Sequence, residues 1–123
     1  METENTNPEI VIYACGGASN VGQIANDAAR ALSQLGHGQM CCTMALAAEN
    51  PIEVSKAAYA GKRVVVEGCD NKCLTEVLEK AGLPVDTSFV VTSLGLEKNY
   101  KFHYKEEQVA AVASAVRSAM RES

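Results

Sequence analysis

RVVVEGCDNKCL, residues Arg63 to Leu74, decides how this chain is read. Val64, Val65 and Val66 are a β-branched run long enough for a buried strand and too short for a helix. Gly68 ends the run, and Asp70 or Asn71 is placed to cap a helix over 71–81. Cys69 falls in the turn and Cys73 in the first helical turn. Their offset brings both sulfurs to one side of the junction. A helix N-terminus carries unpaired N–H groups and partial positive charge, which favour thiolate over thiol. The strand end is thus expected to present two activated sulfurs outward, where parallel sheets keep their sites.

Outward from this centre the pattern repeats. Glu9 to Ala14 reads as a strand ending at Cys15, Gly16 and Gly17. Ser19 or Asn20 caps a helix whose apolar positions Val21, Ile24, Ala28, Leu32 and Leu35 share one face, and Gly36 stops it. Gly38 to Cys42 reads as a short second strand. Asn50, Pro51 and Glu53 supply a cap, a first-turn proline and an acidic third position for a helix ending near Ala60. Phe89 to Thr92 is the fourth strand, and the last helix runs over 105–121 with Val109, Val112, Val116 and Met120 inward. Met1 to Pro8 reads as a disordered tail, leaving 9–123 as one domain.

Alternating strands and helices predict an α/β, three-layer, Rossmann-like domain with a parallel sheet of about four strands. Right-handed crossovers give the order 2-1-3-4 and put the switch point between strands one and three. Cys15 ends strand one, Cys69 ends strand three, and the Cys41–Cys42 pair ends strand two. The interval from Cys15 to Cys42 equals that from Cys42 to Cys69, 27 residues in each case, about one β-α-β repeat. With Cys73, four sulfurs are expected to meet there. Cys41 and Cys42 compete for one of the four places, because neighbours in an extended segment face opposite ways. Zinc takes four thiolates tetrahedrally, and such a cluster supplies them without other ligands. The excess charge of −2 is expected to rest on N–H groups of the Gly16–Gly17 loop and of the helix N-termini.

Composition narrows the function classes. The chain has 123 residues, 47% of them hydrophobic and 21% charged, with a formal net charge of −4. It has neither a basic cluster nor an aromatic platform, so no nucleic-acid partner is expected. Nor is a membrane one, since no apolar stretch reaches the roughly 18 residues of a span. METENTNPE is polar and acidic, unlike a secretory signal. Five cysteines in such a chain point to a reducing, cytoplasmic setting where thiols serve metal or redox chemistry.

The segments CGGASNVGQIANDAARAL, QMCC, VVVEGCDNKCLTEVLEKAGL and VTSLGLEKNY, in this order between Ile10 and about Phe102, resemble the DGC domain family. Its members are described as zinc-binding proteins with four chelating cysteines. The family's second ligand position lies two residues after a methionine, which counted from Met40 is Cys42. The resemblance therefore implies the ligands Cys15, Cys42, Cys69 and Cys73, with Cys41 spare. The motif that names the family has an aspartate where this chain has Glu67.

Other chemistries must use the same residues. An iron–sulfur cluster also takes four thiolates. A thiol enzyme of disulfide exchange or sulfur transfer would exploit activated cysteines, but Cys69 and Cys73 are one residue too far apart for C-x-x-C. His37 and His103 read as solvated surface residues rather than bases. Gly17 to Gly22 has the glycine spacing of a phosphate loop, yet Gln23 and Ile24 stand where Lys and Ser or Thr belong. The balance is against an enzyme. A metal at the ligand crevice of a self-sufficient sheet suggests sensing, metal delivery or partnership in electron transfer.

Overall fold

A computed structural model describes residues 9–123. The expected N-terminal tail lies outside the described residues. The order of elements is β1 (Ile10–Ala14), α1 (Asn20–Gln34), β2 (Gln39–Met40), α2 (Thr43–Ala47), α3 (Pro51–Tyr59), β3 (Lys62–Glu67), α4 (Cys73–Lys80), β4 (Thr87–Val90), a 3-10 turn (Val91–Leu94) and α5 (Glu106–Glu122). The four strands form one sheet in the order β2-β1-β3-β4. All three pairings are parallel, with Ile12 opposite Val64 and Val64 opposite Thr87. This is the α/β topology that the alternation of elements predicts.

The valine run explains why β3 is central. Side chains alternate across a strand, so Val64 and Val66 enter one layer and Val65 the other. Val64 and Val66 pack with Ile12, Ile24, Ala28 and Val116 beneath α1 and α5. Val65 packs with Val11, Tyr13, Leu46, Ala57 and Leu78 beneath α2, α3 and α4. All three valines are fully buried. Each contributes about 1.5–3 kcal/mol of hydrophobic stabilisation.

Several elements depart from the sequence reading. Leu35 is 71% exposed rather than inward, because it lies past the last turn of α1 on the rim of an open groove toward α5. The second strand shrinks to Gln39–Met40, and Cys42 becomes the N-cap of the unexpected helix α2. The fourth strand starts at Thr87 and ends at Val90, with Val91 and Thr92 passing into the 3-10 turn. At the starts of α1 and α3 the cap residues do as expected. Ser19 Oγ accepts the Gly22 N–H, and Asn50 Oδ1 accepts those of Ile52 and Glu53. No helix among the described residues is long and apolar enough to cross a membrane.

Candidate metal centre

Four of the cysteines follow strand ends, and Cys73 opens α4. Cys15 follows β1, and its N–H donates to Val66 O at 3.0 Å, extending the β1–β3 pairing by one residue. Gly16 then turns the chain at φ +62°. A Cβ on Gly17 would lie 3.1 Å from Cys15 Sγ, so glycine there leaves room against the half-buried sulfur. Cys41 and Cys42 part company as extended neighbours must. Cys41 is buried in the layer of Val11, Tyr13 and Leu46. Its thiol is pushed up to about 11, chiefly by burial, with Glu53 and Cys42 adding in the same direction and Lys56 opposing. Cys42 is exposed, and its sulfur accepts the Ala45 N–H at 3.4 Å to cap α2. Thr43 Oγ1 donates to Ala14 O at 2.9 Å, tying this corner to the end of β1.

The other pair lies beyond β3. Cys69 is half-buried in the turn and Cys73, the first residue of α4, is exposed. Lys98 Nζ reaches to 3.6 Å from Cys69 Sγ and sits 5.4 Å from the centroid of the Tyr100 ring. The Tyr100 hydroxyl first, and Cys69 after it, hold the Lys98 ammonium above its usual range. Asn20 fastens the loop that carries Lys98: its Nδ2 donates to Glu97 O at 2.9 Å, and its Oδ1 accepts the Asn99 N–H at 2.7 Å. A cation is thereby anchored beside a sulfur at the carboxyl edge of the sheet.

The cap of α4 differs from the expected one. Neither Asp70 nor Asn71 supplies it, and the residue ahead of the helix, Lys72, stands at φ 53° with no side-chain cap. The carboxylate of Glu67 does so instead, accepting the N–H groups of Leu74 and Thr75. Two donors that the sequence reading offered to the sulfurs are therefore engaged elsewhere.

The five sulfurs share one edge without forming one cluster. Cys15, Cys41 and Cys42 line a cavity of about 370 Å³ together with Gly16, Asn26 and Met40, whereas Cys69 and Cys73 are outside its lining. Among the described residues, no group of three or more His, Cys, Asp or Glu side chains is gathered so as to hold a metal ion. In kind the donor set fits zinc: all five cysteines are free thiols, and no carboxylate or imidazole lines the cavity beside Cys15, Cys41 and Cys42. His103 is exposed and His37 half-buried on the rim of the groove between α1 and α5.

The glycine-rich loop is packed shut rather than open to a phosphate. A Cβ on Gly22 would fall 2.5 Å from Gly17 O, and one on Gly68 would fall 3.0 Å from Gly22 N. Gly17 O accepts from Ser19 N and from Gln23 Nε2. Gln23, standing where a phosphate loop has lysine, thus closes the loop on itself.

Sequence reasoning missed two residues. Lys98 lies 29 positions from Cys69 and is brought to it by a loop with no regular structure, so no local signal marks it. Glu67 did carry a signal, since a charge ending an otherwise buried strand needs a partner. A family model described as the DGC domain matches residues 11–116. The anaerobic and virulence modulator AnvM of Pseudomonas aeruginosa is 28% identical over 100 residues, covering 81% of this chain and 76% of that protein. No solved structure matches the chain.

Proposed function

The chain belongs to the DGC domain family, and from that premise we propose that it binds one zinc ion through Cys15, Cys42, Cys69 and Cys73. One observation carries the reading. Three adjacent strands, β2, β1 and β3, each lead into a free cysteine on the same edge, and a fourth opens α4. Zinc bound there would supply a closed tetrathiolate centre holding the loops after β1, β2 and β3 together. The chain's own groups prepare for it. Gly17 leaves the Cys15 sulfur uncrowded, and Lys98 sets a positive charge against a site that would carry excess negative charge. Cys41, buried and held as a thiol, takes no part.

A role in sensing follows from the chemistry of the ligands. Thiolates are lost to oxidation, so occupancy would track the redox state of the surroundings. The relative named as an anaerobic and virulence modulator is in keeping with such a role, in a reducing, cytoplasmic setting. Lys98 beside Cys69 favours a second reading, a thiol enzyme that uses Cys69.

Zinc content and circular dichroism of reduced protein, before and after chelation, test the first reading. We expect one zinc per chain, and a lower unfolding midpoint with helix and strand signals retained after chelation. The sheet has its own apolar core, unlike a zinc finger that is unfolded without metal. Stoichiometry near zero in protein purified anaerobically would refute the zinc site. Visible absorption would point to an iron–sulfur cluster instead.

A further inference from the structure

We infer that Glu67 is the positioning residue of the metal site, holding Cys73 in place relative to Cys69 by gripping the start of α4 from the end of β3. The inference rests on the zinc reading above and concerns a side chain that would not touch the metal.

Glu67 is the last residue of β3 and only 1% exposed. A carboxylate buried so deeply needs full hydrogen bonding. Oε1 accepts the Leu74 N–H at 3.3 Å, and Oε2 accepts the Thr75 N–H at 2.7 Å and the Thr75 hydroxyl at 2.5 Å. These are the second and third residues of α4, the donors that a capping residue just ahead of a helix ordinarily satisfies. Here the preceding residue caps nothing, so one carboxylate in the strand does the work. The helix end offers partial positive charge to the buried anion in return.

The arrangement closes a loop at both ends. Gly68 is pressed on the start of α1, and Lys72 N donates to Cys69 O at 3.3 Å within the turn. Cys69 and Cys73 lie inside this closed segment, and Cys73 directly precedes the two residues held by Glu67. Freed from that grip, α4 could still form, but its first turn would no longer be referred to the strand. A ligand placed by such a turn would meet the metal in many geometries rather than one.

The rival explanation is that Glu67 merely stabilises the fold. A cap elsewhere separates the two: Asn50 caps α3 through the N–H groups of Ile52 and Glu53. Zinc affinity would be measured by competition with a chromophoric chelator on reduced full-length protein, well below the unfolding midpoint. Folding would be followed by circular dichroism. We expect Glu67→Gln to weaken zinc at least about tenfold, in line with the effect of groups that orient metal ligands. Thr75→Val, which removes one of the three bonds, should weaken it less and in the same direction. Asn50→Ala should lower the midpoint and leave affinity at the wild-type value. Should Glu67→Gln fail to fold, Thr75→Val decides: a several-fold loss supports the role and an unchanged affinity overturns it. Wild-type affinity in a folded Glu67→Gln protein, or an equal loss in Asn50→Ala, overturns the positioning role alone. A wild-type protein that binds no zinc overturns this role and the zinc reading together.

Discussion

Exchanging each of the adjacent cysteines for serine should separate the core from the site. Cys41 is 8% exposed, and its thiol donates weakly to Gln39 O at 3.5 Å. Serine in that layer has less apolar volume and brings a more polar hydroxyl among buried apolar side chains. The expected cost is about 1–2 kcal/mol, or roughly 3–6 °C in the midpoint of a domain of this size. Cys42 is exposed and caps α2 through sulfur at 3.4 Å. Serine ranks among the best capping residues, so Cys42→Ser should leave metal-free stability within about 0.5 kcal/mol of wild type. Metal binding should show the opposite pattern. Structural zinc sites bind with about 10–16 kcal/mol, which over four ligands is about 2.5–4 kcal/mol each. Cys42→Ser should thus weaken zinc by roughly a hundredfold or more, while Cys41→Ser leaves it unchanged. The assay pairs calorimetric midpoints of chelated, reduced protein with zinc competition titrations. Loss of zinc in Cys41→Ser and retention in Cys42→Ser would refute the reasoning, placing the ligand one residue earlier.

The Tyr13 hydroxyl is held far above its ordinary value, first by burial and then by its 2.6 Å hydrogen bond to Glu53. The fold therefore keeps a proton that the unfolded chain releases, and stability should decline above about pH 10 by up to about 1.4 kcal/mol per pH unit. Urea midpoints from pH 8 to 11 should show this slope added to an earlier decline from the buried Cys41 thiol, whose pKa is pushed up to about 11; Tyr13→Phe should remove the added part above about pH 10 and leave the rest. In Gly22→Ala the new methyl group would meet Gly17 O at 2.5 Å. A loss of about 3 kcal/mol is expected, and an unchanged thermal midpoint would contradict the close junction of Gly17 and Gly22. Lys98 beside Cys69 should draw anionic reagents to that thiol. In Lys98→Met the ratio of iodoacetate to iodoacetamide labelling at Cys69, read by mass spectrometry, should fall several-fold; an unchanged ratio would mean the ammonium does not reach the sulfur in solution.

What the sequence determined by itself is the part governed by short-range periodicity and steric preference. The valine run, the caps at Ser19 and Asn50 and the spacing of Val112, Val116 and Met120 are local features, and each led to the element it marks. Their alternation, with right-handed crossovers, sufficed for the order β2-β1-β3-β4. The choice between Cys41 and Cys42 was left open by the residues themselves. In the tertiary structure Cys41 is buried against Tyr13 and Cys42 is exposed. The caps of α2 and α4 escaped the sequence reading for a different reason. One uses a sulfur, which is not a customary cap, and the other uses Glu67, which lies outside the usual capping window. Lys98 lies beside Cys69 on a loop that Asn20, distant in sequence, fastens at Glu97 and Asn99. Local pattern thus decides most of the elements and, with right-handed crossovers, the order in which the strands pair. Which side chains meet at the carboxyl edge of the sheet is decided by packing between segments far apart in the chain, and no short window of sequence contains that information.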